Sequence, residues 1–207
     1  MFTHAAQALG FKVLVVDPDP LSPTGAVADR QLLAAYDDHA AIEEMARACA
    51  AVTTEFENVP ASALEQLARS LPTRPAAAAV RIAQDREREK SFLASHGVAI
   101  APFRAITIDA DCDDIAARLL PGILKTARLG YDGKGQKAVR SAAEARAAFE
   151  ALGRQPCVLE QRVDLAMEIS VLIARGAGGQ TIVWPVAENE HRDGILDLSI
   201  IPARISD

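Results

Sequence analysis

Between Lys125 and Gln136 the chain reads Lys-Thr-Ala-Arg-Leu-Gly-Tyr-Asp-Gly-Lys-Gly-Gln, with glycines at 130, 133 and 135 and lysines at 125 and 134. The segment sits between two apparent strands and not ahead of a helix, so it predicts a glycine-rich hairpin. Glycine tolerates positive φ and lets backbone N–H groups approach an anion that a Cβ would keep away. The two lysines add positive charge. The order Gly-x-x-Gly-x-Gly differs from the dinucleotide pattern Gly-x-Gly-x-x-Gly, and no Gly-Lys-Ser/Thr ending marks a P-loop. A mobile clamp for phosphate groups fits these residues; taken alone, so does an ordinary glycine-rich hairpin.

The surrounding composition narrows the choice. Half of the 207 residues are hydrophobic and 24% are charged, the balance of a chain that buries a core. That length accommodates two small domains. A net charge of −6 and a pI near 5.3 argue against a nucleic-acid partner, which requires clustered Lys and Arg. A basic loop in an acidic protein points instead to a small anionic ligand. No apolar run reaches the ~18–20 residues of a membrane span, and Met1-Phe-Thr-His-Ala-Ala6 has no basic region before an apolar one. These features predict a cytoplasmic protein with no membrane partner. Cys49, Cys112 and Cys157 are odd in number and far apart, which predicts buried small side chains and not a disulfide framework or a metal pair. His4, His39, His96 and His191 are equally scattered.

Along the chain, residues 3–9 read as the end of a helix closed by Gly10, followed by an apolar strand at 12–16. A helix over 39–50, a strand over 51–54 and a helix over 62–70 opened by Pro60 complete an alternating α/β pattern, which implies a parallel sheet. The pattern breaks near residues 71–75, and a domain boundary is expected at about residue 80. An Ala-rich helix and a charged helix at 85–97 follow. Beyond them the spacing predicts strands at 103–108 and 122–126, a helix at 109–120, and a helix at 141–153 begun by the capping box Ser141-Ala-Ala-Glu144. Strands at 157–160 and 167–175, a turn at 176–179 and a returning strand at 181–184 make the second domain α+β.

Taken in order, Thr54-Glu-Phe-Glu-Asn58, Gln84-Asp-Arg86, Lys125 with its hairpin, Glu160-Gln161, Glu168, and Asn189-Glu-His-Arg-Asp-Gly-Ile195 resemble the ATP-grasp superfamily. Within it they resemble the 5-(carboxyamino)imidazole ribonucleotide synthases of purine biosynthesis, over nearly the whole chain. The hairpin and the His-x-Asp-Gly-Ile segment are the specific parts. The resemblance implies a Rossmann-like pre-ATP-grasp domain over 1–80 lacking its first strand, and an incomplete ATP-grasp domain over 81–207. It implies ATP and Mg²⁺ as cofactors. Lys125 and Arg86 would meet the polyphosphate, and Gly130, Tyr131, Asp132, Gly133, Lys134, Gly135 and Gln136 would fold over it. Glu160, Gln161, Arg162 and Val163 would form the hinge whose backbone reads adenine, Glu168 would accept from the ribose hydroxyls, and His191 would stand near the phosphates. Tyr131, Asp132 and Lys134 would also act at the reacting centre and, with Glu55, contact the aminoimidazole ribonucleotide; Glu57 competes with Glu55 for that role.

Each role has a plainer competitor: a solvated helix face for Arg86, an exposed strand residue for Glu168, an exposed turn for His191, and a solvated strand face for Glu55 and Glu57. The implied reaction is ATP-dependent carboxylation of 5-aminoimidazole ribonucleotide by bicarbonate, and the implied assembly is a homodimer. The family pattern opens with a strand and glycine-rich turn upstream of this first helix, and its acidic Mg²⁺ ligands lie beyond Asp207. The resemblance therefore leaves no metal ligand to assign, and the 207 residues alone are expected to bind nucleotide poorly and not turn over. Another ATP-grasp ligase, such as the formate-dependent glycinamide ribonucleotide transformylase, and a non-catalytic nucleotide-binding fragment are the alternatives. A nicotinamide dehydrogenase is disfavoured because no Gly-x-Gly-x-x-Gly follows a strand.

Overall fold

A computed structural model describes residues 1–130, 135–192 and 195–205. The chain divides into two compact units, Met1–His96 and Gly97–Asp207. The first holds α1 (Phe2–Ala8), β1 (Leu14–Val16), β2 (Arg30–Leu32), α2 (His39–Ala48), α3 (Ala61–Leu67), α4 (Ala77–Ala83) and α5 (Arg86–Ser95). Strands β1 and β2 pair in parallel, Leu14 opposite Arg30 through Val16 opposite Leu32, as the alternating pattern predicts. The strand expected at 51–54 shrinks to one parallel bridge, Val52 to Thr73. The Thr54 hydroxyl donates to the Phe56 carbonyl at 2.7 Å, and this local turn competes with any longer ladder.

Helix boundaries in this unit follow side-chain chemistry. Asp38 accepts from Ala41 N–H and starts α2. Asp85 accepts from Glu87 N–H and Arg88 N–H and starts α5, so the aspartate of the Asp-Arg pair is a helix cap. Ile42, Val52, Ala63, Leu67 and Leu71 bury one cluster, and Ala61, Leu64, Ala77 and Val80 another. Helix α5 buries none of its residues.

In the second unit, β3 (Phe103–Ile106), β4 (Gly122–Thr126), β5 (Gln136–Val139) and β6 (Cys157–Gln161) form one antiparallel sheet in the order β3-β6-β4-β5. Helix α6 (Ala142–Ala151) packs on it. The Ser141 hydroxyl accepts from Glu144 N–H at 3.1 Å, as the capping box predicts, while the Glu144 carboxylate reaches back one residue further, to Arg140 N–H at 2.8 Å. Ile106, Leu124, Val139, Cys157 and Leu159 meet Ala145 and Phe149 of α6 in the core. Burial pushes the Cys157 thiol up to about 11.

The helix expected at 109–120 is replaced by two short 3₁₀ turns, Asp109–Cys112 and Ala117–Leu119. The Asp111 carboxylate accepts from Thr107 N–H at 2.7 Å and Ile108 N–H at 3.0 Å, which fixes a tight turn where the periodicity alone reads as α-helix. The strand expected at 167–175 is split into β7 (Glu168–Ser170) and β8 (Ile173–Arg175). Strand β8 pairs with β9 (Thr181–Val183) in the expected hairpin, whereas β7 joins β10 (Ala187–Arg192) and β11 (Ile195–Ile200) in a separate sheet. The alternation of Ile169, Val171 and Ile173 therefore does not mark one buried strand face, and all three are exposed.

Glu188 on β10 is buried and receives Arg204 through its guanidinium and its backbone N–H. These bonds hold its carboxyl below its ordinary value of 4.5. A depressed carboxylate contributes stability that is fully present above that value and lost as the pH falls through the lowered one. Thermal unfolding followed from about pH 6 down to about pH 3 is expected to show an acid-side loss of stability that Glu188→Gln makes shallower. Phe149→Ala, which opens a cavity at the centre of the larger core, is expected to cost about 3–5 kcal/mol in chemical denaturation.

Candidate functional site

Strand alternation gives the β3–β6 sheet two different faces. Leu124, Leu159 and Cys157 point into the core under α6. On the opposite face, Lys125 lies directly across from Gln136 on one side and Val158 on the other, and Glu160 is two residues along from Val158. This diagonal places the Lys125 Nζ 3.0 Å from Glu160 Oε2. The Glu160 side chain is only 12% exposed and that of Lys125 25%, so the pair is largely withdrawn from water. A charge-assisted hydrogen bond in this setting holds both side chains in one geometry.

The glycine segment joins β4 to β5, which pair antiparallel from Lys125–Gln136 to Gly122–Val139, and the hairpin read from the sequence is therefore present. Its closing end is tight. Gly135 has φ of +75°, and an added Cβ would stand 2.7 Å from Thr126 Oγ1. Thr126 N–H also donates to the Gly135 carbonyl at 2.8 Å. Tyr131, Asp132, Gly133 and Lys134, named above for the phosphates and the reacting centre, lie outside the described residues.

After Glu160 the chain leaves the sheet through Gln161, Arg162 and Val163. Gln161 N–H donates to the Pro102 carbonyl and Arg162 N–H to the Pro121 carbonyl, each at 2.9 Å. Val163 is half exposed. Glu168 and His191 sit on neighbouring strands, β7 and β10, and the Glu168 carboxylate is 2.8 Å from His191 Nδ1. His191 thus belongs to a strand, where its sequence neighbours also fit an exposed turn. Asn189 lies opposite Glu168 and bonds both Ser170 at 2.6 Å and Ser199 at 2.9 Å, forming a polar row across the three strands. Strands β10 and β11 were not expected from the sequence. A signal for β11 is the alternation of Leu196, Leu198 and Ile200 with polar residues.

In the first unit, Arg86 is the first residue of α5. The buried Gln84 amide donates to the Glu57 and Val59 carbonyls at 2.7 and 2.6 Å, and thereby fixes the backbone beside the Glu-Phe-Glu element. Glu55 accepts from Phe2 N–H at 3.1 Å.

A lysine paired with a buried glutamate thus stands at the root of a glycine hairpin on an antiparallel sheet. Residues 91–207 match the family described as the ATP-grasp domain, and residues 1–84 match the ribonucleotide synthetase preATP-grasp domain. The chain belongs to the ATP-grasp family. Along its whole length it is 42% identical to N5-carboxyaminoimidazole ribonucleotide synthase of Brucella melitensis, of which it covers 58%. The crystal structure of the Staphylococcus aureus N5-carboxyaminoimidazole synthetase with ADP superimposes with a TM-score of 0.93 at 35% identity, over 99% of this chain and 55% of that one. The Aspergillus clavatus enzyme with ADP and 5-aminoimidazole ribonucleotide gives 0.86 at 25% identity, over 99% and 54%. The chain thus spans little more than half the length of these relatives.

Among the described residues no group of three or more His, Cys, Asp or Glu side chains could hold a metal ion. Nor is any described helix long and apolar enough to cross a membrane. Gly135→Ala is expected to destabilise the β4–β5 hairpin by about 1–2 kcal/mol, because alanine resists this φ and meets Thr126. Faster hydrogen exchange at Thr126 N–H in the variant would register that loss.

Proposed function

We propose that this chain is the nucleotide-binding portion of a ligase that carboxylates 5-aminoimidazole ribonucleotide with bicarbonate, forming N5-carboxyaminoimidazole ribonucleotide, ADP and phosphate in purine biosynthesis. The observation that carries this reading is the Lys125–Glu160 pair at the root of the glycine hairpin, in a chain similar from end to end to such synthases. On this reading residues 1–80 serve as the pre-ATP-grasp domain and 81–207 as part of the ATP-grasp domain.

In the proposed reaction bicarbonate oxygen attacks the γ-phosphoryl group, ADP departs, and the exocyclic amine of the ribonucleotide takes the carboxyl carbon of carboxyphosphate, releasing phosphate. Every reactant carries negative charge or is attached to it, so the contribution of the protein is cationic and N–H donors placed where charge gathers. Lys125 and Arg86 supply cations to the polyphosphate. The hairpin from Gly130 to Gln136, including Tyr131, Asp132, Gly133 and Lys134, covers it and keeps water from the labile carboxyphosphate. Gln161 and Arg162 already use their N–H groups on Pro102 and Pro121. Adenine recognition by residues 160–163 therefore falls to their carbonyls and to Val163. Glu168 receives the ribose hydroxyls, with His191 beside it toward the phosphates, and Glu55 faces the aminoimidazole ribonucleotide.

The Glu168–His191 contact favours competition in the nucleotide-free chain: the ribose replaces His191 as the donor to Glu168. Lys125→Met removes the cation and leaves Glu160 without that partner. It is expected to weaken ATP binding at least about tenfold in isothermal titration, and to lower stability by about 2 kcal/mol. Unchanged ATP affinity in a folded variant would overturn the assignment of Lys125. The substrate is tested with the full-length enzyme by ADP release that requires both bicarbonate and 5-aminoimidazole ribonucleotide; release driven equally by formate or another amine would reassign it.

A further inference from the structure

Glu168 stands at the end of a short ladder. Strand β7 pairs with β10 as Ser170 opposite Ala187, Ile169 opposite Glu188 and Glu168 opposite Asn189, and the described pairing stops there. The terminal residues of a short ladder open most easily. A carboxylate placed at such an end is held in position by side chains more than by backbone pairing.

Register decides which side chains are in reach. Residues directly opposite one another in an antiparallel pair share a face of the sheet. Glu168, Ser170, Asn189 and Ser199 therefore lie on one face, and Ile169, Glu188 and Ile200 on the other. On the first face Asn189 uses both halves of its amide. Its N–H donates to the Ser170 hydroxyl at 2.6 Å, and its carbonyl oxygen accepts from the Ser199 hydroxyl at 2.9 Å. One side chain thus ties β7, β10 and β11 together at the position facing Glu168. Asparagine is disfavoured in strands, so pairing alone does not call for it here.

Beyond Asn189 the ladder changes. Between Glu190 and His191 the register of β10 against β11 shifts from Glu190 opposite Leu198 to His191 opposite Leu196, which leaves Asp197 as the extra residue of a bulge. Bulges re-aim side chains and sit beside functional sites. From this point His191 reaches Glu168, its Nδ1 2.8 Å from Oε2. With the Asn189 amide directed to the two serines, the facing carboxylate is left to His191 and to a ligand.

We propose that Asn189, braced by Ser170 and Ser199, is the positioning residue that sets Glu168 for the sugar hydroxyls of the nucleotide and so governs selection of a ribonucleotide over a deoxyribonucleotide. The proposal rests on the preceding reading of Glu168 as the ribose acceptor and adds the side chains that give that acceptor its specificity. Asn189 acts through Glu168 and not on the ligand itself. Without Asn189 the end of β7 is untied. Without a bracing serine the amide is free to turn toward Glu168 and take the place of a sugar hydroxyl. In both cases ATP loses more than an analogue that lacks the hydroxyl.

The test is isothermal titration of the full-length protein with ATP, 2′-deoxy-ATP and 3′-deoxy-ATP, with thermal unfolding measured on each variant. The unaltered protein is expected to prefer ATP over the weaker-bound deoxynucleotide by about tenfold or more, the effect of a hydroxyl donating to a carboxylate. Asn189→Ala is expected to lower that ratio about fivefold, by weakening ATP more than the deoxynucleotide. Ser199→Ala lowers it in the same direction, and Ser199→Thr, which keeps the hydroxyl, retains it. Ser199 is exposed, so its two variants carry the test even where Asn189→Ala does not fold. An unchanged ratio in folded Asn189→Ala or in Ser199→Ala overturns the positioning role, as does an equal loss for all three nucleotides, which is the result of a merely structural tie. In those outcomes loss of the preference in Glu168→Ala still upholds the ribose reading. A preference that Glu168→Ala leaves intact, or no preference in the unaltered protein, overturns the ribose reading and the positioning role with it.

Discussion

A lysine and a nearly buried glutamate, 3.0 Å apart on adjacent antiparallel strands, are the contact around which the second unit is organised. Helix α6 seals the other face of the sheet with apolar side chains, and on the alternate positions of β4 and β6 Lys125 and Glu160 meet beside the buried Val158. A cation held against a carboxylate is already ordered, and the proposed contact of Lys125 with a polyphosphate would draw on that order. The glycine hairpin grows from the same strand, with Gly135 tucked against Thr126 at its closing end.

Within each unit, polar side chains fix the backbone locally. Gln84 secures the carbonyls of Glu57 and Val59, Asp85 caps α5, and Asp111 turns the chain after β3. Gln84 and Asp85 lie within a motif that also reads as functional. Asp85 is half of an Asp-Arg pair, and its role is to begin a helix. Structure and chemistry share the segment: the cap sets where Arg86 emerges, and the amide of Gln84 sets the path of the Glu-Phe-Glu element.

Much of this was legible in the sequence because short-range rules dominate there. The Ser141-Ala-Ala-Glu144 box, the glycine-bounded helix α1 and the run Gly122–Thr126 depend on neighbours a few residues away. The failures occur where a side chain overrides the local period. Asp111 converts an expected helix into 3₁₀ turns, and Thr54 curtails a strand to a single bridge. The 167–175 run could not be parsed because its residues pair with partners on different sides, Ser170 with Ala187 and Ile173 with Val183. Strand pairing of this kind is non-local, and periodicity along one segment does not contain it.

The sequence by itself determined the family pattern, since the order of its motifs resembles one group of ligases, and a cationic glycine hairpin in an acidic chain raised the expectation of a small anionic ligand. Tertiary structure alone decided which of those residues meet. Lys125 and Glu160 are 35 positions apart and Glu168 and His191 are 23 apart, yet both pairs are in contact, because sheet register brings alternate residues of distant strands to one face.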